Sequence, residues 1–256
     1  RFDFQGLFSL IGGLGLFVFG LMQGPEWGWK DPAVWGCLVV GGLLFAVFVA
    51  IELRVKRPLI EVDLFANASF AVCNFVVFTA QYSKIVIFIF GAAYLQKNLE
   101  MTALEAGTAL LASVIFSPPM GLVAGKVADR FGARGPTLIG LVAVTSALLW
   151  IGVASEWQSY LLLLPGLLIW GSAIPLLFVP PMRAVMNEVP ADKKGLAGGI
   201  VLCAQLLGGT MGVAISSTLF LTTRDYSVVF LATGALAAFA LLLGFLKIEP
   251  EKIEAA

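Results

Sequence analysis

The sequence predicts an all-α membrane protein, and three observations predict it. Hydrophobic residues make up 59% of the 256 and the mean hydropathy is +0.96, while only 12% are charged, about half the charged share of a soluble domain. Apolar runs of the length that crosses a hydrocarbon layer, about 20 residues, recur eight times. The connections between them are short and polar, and Lys and Arg collect on alternate ones.

The first run, 4–22, stops at Gln23-Gly24-Pro25-Glu26-Trp27-Gly28-Trp29, where Gly and Pro turn the chain and the tryptophans suit a membrane interface. The second, 33–51, leads into the basic stretch Arg54-Val55-Lys56-Arg57-Pro58-Leu59-Ile60-Glu61-Val62-Asp63-Leu64-Phe65, which reads as an interfacial link. The third, 70–95, carries Asn74, Thr79, Gln81, Tyr82, Ser83 and Lys84 in otherwise apolar text. The fourth, 103–124, contains Ser117-Pro118-Pro119 and ends at a charged decapeptide, which reads as a turn. The fifth is 136–154, and Trp157 follows it at the next interface. The sixth, 160–179, contains Pro175 and ends at Pro180-Pro181; the seventh, 196–220, is the richest in glycine; the eighth, 228–246, precedes a short polar tail.

Orientation follows from the basic residues. With the N-terminus on the cytoplasmic side, the inner face receives Arg1, Arg54, Lys56, Arg57, Lys126, Arg130, Arg134, Arg183, Lys193, Lys194, Lys247 and Lys252; the outer face receives Lys30, Lys97 and Arg224. Twelve against three selects this orientation over its inverse. Both ends are then cytoplasmic, in a bacterial inner (plasma) membrane. The organisation expected is two linker helices in 1–53, a cytoplasmic link at 54–69, a six-helix unit at 70–248 and a tail at 249–256. The first residue is Arg1 and not Met, so the chain is expected to be the C-terminal part of a longer polypeptide.

Composition also narrows the chemistry. Sixteen basic residues balance sixteen acidic ones, which argues against a nucleic-acid partner. There is no His, the commonest zinc ligand and general base. Cys37, Cys73 and Cys203 stand apart in apolar text and read as small core residues. No metal or organic cofactor is expected.

The decapeptide is Gly125-Lys126-Val127-Ala128-Asp129-Arg130-Phe131-Gly132-Ala133-Arg134. Its spacing, Gly-x-x-x-Asp-Arg-x-Gly-x-Arg, resembles the cytoplasmic loop signature of the major facilitator superfamily of secondary transporters. The turn 23–29 is similar to the one joining the two extra helices of the fourteen-helix drug:proton antiporters in that superfamily. The stretch 57–65 followed by Ser69-Phe70 resembles their link into the C-terminal bundle. The resemblance covers essentially the whole chain. It implies the C-terminal six-helix bundle, built as two inverted three-helix repeats and preceded by two linker transmembrane helices, with the N-terminal six-helix half as its partner.

The resemblance makes Gly125, Asp129, Arg130, Gly132 and Arg134 a conformational latch. Asp129 is expected just past a helix end, against a neighbouring helix N-terminus and the guanidinium groups of Arg130 and Arg134. A charge-assisted bond there is worth about 1.5–3 kcal/mol. Gly121 and Gly125 are expected to allow close helix approach.

Lys84 is the one charge deep inside a span. Such a group costs at least about 2.5–3.5 kcal/mol to insert, so it should face a cavity or a partner. Asn74, Gln81 and Lys84 fall at spacings of seven and three, one helical face, and form the expected substrate stripe. The bland alternative is a snorkelling or paired lysine. Pro118, Pro119 and Pro175 free backbone carbonyls and are expected hinges or static kinks. Gly208 and Gly212, like Gly195 and Gly199, read as packing surfaces.

No Asp or Glu lies mid-span, so a proton-coupling acid is expected in the absent half. The function implied is proton-coupled export of amphipathic drugs or other small organic compounds by alternating access, driven by the proton gradient. The partners implied are an amphipathic substrate and the lipid bilayer, and the resemblance admits a periplasmic adaptor protein. A dedicated exporter of one natural product or siderophore is the alternative within transport. A membrane enzyme is disfavoured by the lack of His and of paired intramembrane acids, and a non-transporting scaffold by the latch signature.

Overall fold

The structure, a computed structural model, describes residues 4–52 and 62–248. Among the described residues, eight helices are long and apolar enough to cross a bilayer. Three of them are interrupted. The first two spans are continuous, α1 Phe4–Trp27 and α2 Pro32–Glu52. The third runs as α3 Ala68–Val86, one wide turn at Ile87–Gly91 and α4 Ala92–Lys97. The fourth is α5 Ala103–Leu110, a tight turn at Leu111–Ser113 and α6 Ser117–Phe131. The fifth is α7 Arg134–Ala154, extended by a turn to Trp157. The sixth is α8 Tyr160–Ala173, a turn at Ile174–Leu177 and α9 Val179–Asn187. The seventh and eighth are α10 Lys194–Thr223 and α11 Tyr226–Lys247. Of the expected link, Val62–Ala66 form one tight turn. Arg1, Asp3, Arg54, Lys56, Arg57, Lys252 and the 249–256 tail lie outside the described residues.

Local chemistry sets many of these ends. Asn67 caps α3 by accepting from the amides of Ser69 and Phe70, and Thr102 and Glu105 form a reciprocal capping box at the start of α5. Asp225 caps α11 through the amide of Ser227. Pro118 and Pro119 stand in the first turn of α6, where a missing N–H leaves nothing unsatisfied. Gly132 ends the same helix at φ +76°, a conformation that favours glycine.

The contacts among spans three to eight show two three-helix units. The third span packs on the seventh and eighth; the sixth packs on the fourth and fifth; the fifth and eighth pair with each other. Exchange of the units maps this pattern onto itself, with the leading helix of each running in opposite directions. Lipid tails are as apolar as leucine, so small residues and polar bonds have to hold such helices together. In the fifth and eighth spans Gly152 receives Leu231, Gly234 receives Leu149 and Gly244 receives Leu141, an antiparallel ladder. Trp170, Phe70, Phe230 and Leu148 are fully buried where the two units meet.

The linker hairpin is meshed through Gly13 and Gly41, whose backbones almost touch. It lies against α10. Trp29, expected at a membrane interface, donates through Nε1 to Thr218 Oγ1 at 2.7 Å and pins the hairpin to the seventh span.

Candidate functional site

The decapeptide is mostly helix. No breaker precedes Gly132, so 125–131 continue α6 for two turns, and only Gly132 and Ala133 separate it from α7. Asp129 therefore sits in the last turn of α6 and not beyond it. Its partner also differs from expectation: the Asp129 carboxylate accepts from Arg183 Nη1 of α9 in an ion pair. Arg130 turns away to lie over its neighbour Phe131, 5.4 Å from the ring centre. Arg134 Nη2 donates to the carbonyl of Phe245 at 3.1 Å, placing a cation on the C-terminal turn of α11, where the helix dipole favours it. Successive residues on a helix point about 100° apart, so Asp129 and Arg130 cannot serve one contact. The Pro180-Pro181 start of α9 brings Arg183 alongside instead.

Three-quarters of the Asp129 side chain is exposed, against 32% of Arg183. Gly121 and Gly125 have open space where a Cβ would stand, so the close approach expected of them is not made by any of the described residues. Most of the fourth span is bare. Only 17% of its apolar window is buried, against 56% for the fifth and sixth spans.

The same two spans that the ion pair fastens at one end are docked at their breaks. A Cβ on Gly171 of α8 would overlap the carbonyl oxygen of Ser113, in the tight turn of the fourth span. Ser117 Oγ donates to the Gly171 carbonyl at 2.7 Å, satisfying an acceptor near the point where α8 ends. Pro175 lies in the break of the sixth span, and Pro118 and Pro119 follow the break of the fourth. Nothing in the sequence marks Gly171, and Ser117 and Arg183 read only as part of a proline-containing stretch and as an inner-face cation. Arg183 had a signal, as a basic residue two positions past a proline pair, but Gly171 looks like any glycine in an apolar helix.

The third span divides its expected stripe. Gln81 lies beside Gly209, with its Cγ 3.7 Å and its Nε2 3.8 Å from where a Cβ would be. Lys84, one turn on, is exposed and has no ion-pair partner among the described residues. Asn74 is ten residues earlier, about 15 Å along the axis, and is 5% exposed. It lines a separate cavity against the linker hairpin. Gly208 and Gly212 of α10 lie against the backbone carbonyls of Phe78 and Tyr82. Among the described residues no cluster of His, Cys, Asp or Glu could hold a metal ion.

The eight-span helical fold is consistent with comparisons to known proteins. The family model described as Major Facilitator Superfamily matches residues 70–256. The chain is similar to the multidrug resistance protein Stp of Mycobacterium tuberculosis, 30% identical over 84% of this chain and 40% of that protein. It is likewise 30% identical to the tetracenomycin C resistance and export protein of Streptomyces glaucescens, over 85% of this chain and 40% of the relative. The quinolone resistance protein NorB of Staphylococcus aureus is 26% identical over 95% of this chain and 52% of its own length. The chain thus spans about half or less of the relatives it matches.

Proposed function

Because the chain belongs to the major facilitator superfamily, we propose that it forms the C-terminal portion of a proton-coupled secondary transporter that exports amphipathic drugs or related small organic compounds by alternating access. The names of its relatives support export as the direction and drug-like molecules as the cargo. An N-terminal six-helix half completes the cavity and carries the coupling acid. The basic end of the bundle faces the cytoplasm of a bacterial inner membrane, and a periplasmic adaptor joins at the other end where one is used. The bare fourth span is the face offered to the N-terminal half.

The observation that carries the mechanism is the Asp129–Arg183 pair. It ties the ends of the fourth and sixth spans, two of the three whose backbones are interrupted. Interrupted helices lack some of their own hydrogen bonds, so they change shape at lower cost than continuous ones. An ion pair between their ends biases one conformer over another. Its strength is below the sequence expectation, because Asp129 is largely exposed and water screens the pair. About 0.2–1 kcal/mol is appropriate, a shift of roughly 1.4- to 5-fold between conformers.

Efflux assays on the full-length protein test this. Asp129→Asn and Arg183→Gln should each slow efflux by up to about fivefold, leave substrate binding within a few-fold, and show no further loss when combined. Additive losses in the double variant, or altered substrate preference with turnover intact, would refute the latch.

A further inference from the structure

Most polar side chains in the middle of the third span are accounted for by the bundle. Thr79 donates to the Phe75 carbonyl, Tyr82 pairs with Ser216, and Ser83 accepts from the Trp170 indole. Lys84 is not accounted for. Its side chain is exposed and has no ion-pair partner among the described residues. The span runs from Ala68 to Lys97, which puts Lys84 about 24 Å from one end and about 20 Å from the other. A hydrocarbon core is about 30 Å thick, so the residue starts near the midplane, beyond the reach of a snorkelling lysine stem. The Asp and Glu side chains of the described residues all stand near span ends or in the turns between spans. A bare cation at that depth is too costly to leave against lipid, so this strip of α3 faces a cavity or a partner.

The strip has a definite make-up. Gln81 and Phe88 lie three residues before Lys84 and four after it, on one helical face. Gln81 makes no hydrogen bond among the described residues, and its Nε2 lies beside Gly209 of α10, where no side chain stands in the way. Phe88 is half-buried and sits edge-on to Trp170 of α8, with ring centres 6.2 Å apart. It belongs to the wide turn Ile87–Gly91, a kind of helix irregularity that recurs at functional sites. A cation, an uncommitted amide and an aromatic ring therefore follow one another between the seventh and sixth spans.

We propose that Lys84 and Gln81 receive a carboxylate carried by a cargo with an apolar, aromatic body. The ammonium pairs with one oxygen, the Gln81 amide donates to the other, and the body lies along Phe88. This rests on the transport reading, which puts the strip on the central cavity, and it adds organic acids to the cargo. A fixed cation in a low-dielectric cleft concentrates anions and disfavours ammonium compounds by like charge. An Asp or Glu of the N-terminal half would offer Lys84 the same chemistry, but the two sources respond oppositely to loss of the lysine. Without a cargo-binding lysine the preference for acids disappears; without a lysine that neutralises a fixed acid, a preference for amines appears.

The test uses the full-length protein in phosphatidylcholine nanodiscs at about pH 8, where carboxylic acids are ionised and amines protonated. Binding of 1-pyrenebutyrate, 1-pyrenebutanol and 1-pyrenebutylamine is read by energy transfer from tryptophan and corrected with empty nanodiscs. The three probes share one body and differ in charge. The butyrate should bind about tenfold tighter than the alcohol, and the amine more weakly than the alcohol. Lys84→Met should remove the difference between acid and alcohol, Lys84→Arg should keep it, and Gln81→Leu should reduce it about threefold. Equal affinity of acid and alcohol in the wild-type protein overturns the proposal without recourse to a variant, as does no binding of any probe. A preference for the acid that survives Lys84→Met also overturns it, and one unchanged by Gln81→Leu overturns the paired arrangement. A preference for the amine in Lys84→Met identifies an acid of the N-terminal half as the lysine's partner and overturns the cargo site. Efflux of the neutral alcohol from cells is scored separately and bears on the export reading alone.

Discussion

The junction of the third and seventh spans and that of the sixth and fourth occupy equivalent places in the two three-helix units, yet they are built differently. At the first, glycines of the continuous α10 let it approach the carbonyls of α3. At the second the glycine is on the other partner: Gly171 of α8 receives the tight turn of the fourth span, and Ser117 closes the join with a hydrogen bond. Both put backbone against backbone. The fifth–eighth pair, by contrast, sets glycines first against leucine side chains, with the Leu231 and Leu149 amide nitrogens farther off at 3.2 and 3.3 Å. Side chains can change rotamer and carbonyls cannot, so the three contacts should differ in how they tolerate one added methyl group. The lesson is that equivalent positions in a pseudo-symmetric bundle can serve one unit as a fixed contact and the other as a docked break.

Alanine substitutions in the full-length protein, followed by thermal unfolding in detergent, test that ordering. Gly171→Ala should cost the most, about 3 kcal/mol, because its methyl group would overlap the Ser113 carbonyl at a joint fixed on both sides. Gly208→Ala should come next at about 2 kcal/mol, since α10 is continuous and can shift as a rod away from Phe78. Gly152→Ala should cost about 1 kcal/mol, because the nearest atoms are Leu231 Cδ2 and Cγ, both at 2.7 Å, in a side chain that can change rotamer. Equal losses at Gly171 and Gly152 would remove the distinction between backbone and side-chain contacts. Gly125→Ala should have the smallest effect and gain about 0.5–1 kcal/mol, as an open helical glycine does. If it also lowers efflux, the bare face of the fourth span meets another part of the transporter in the working cycle. Unchanged efflux would disconnect that face from transport.

Much of the fold was legible because its signals are local. Each span is a run of about 20 apolar residues, and Pro118, Pro119 and Pro175 mark the neighbourhoods of two breaks. The break in the third span was not legible, since Ile87-Phe88-Ile89-Phe90-Gly91 contains no proline to announce a wide turn. The decapeptide was legible as a motif but misread as a turn, because its charge suggested a loop while its first seven residues suit a helix. The stripe of Asn74, Gln81 and Lys84 was a correct statement of periodicity. A helix this long meets different neighbours along its length, so one face need not mean one cavity. Asp129 and Arg183 are 54 residues apart, and their meeting depends on the rotation of two helices about their axes.

The glycine pairs separate the two kinds of information. Gly121 and Gly125, Gly195 and Gly199, and Gly208 and Gly212 share one spacing and read alike as packing surfaces. By itself the sequence determined that each pair lies on one face of a membrane helix, because apolar length and the 3.6-residue period are properties of a single segment. Only the tertiary structure decided that Gly208 and Gly212 are met by a neighbouring backbone while the other four meet none of the described residues. Contact requires a second helix at a given distance and rotation, and no single segment encodes its neighbour's position.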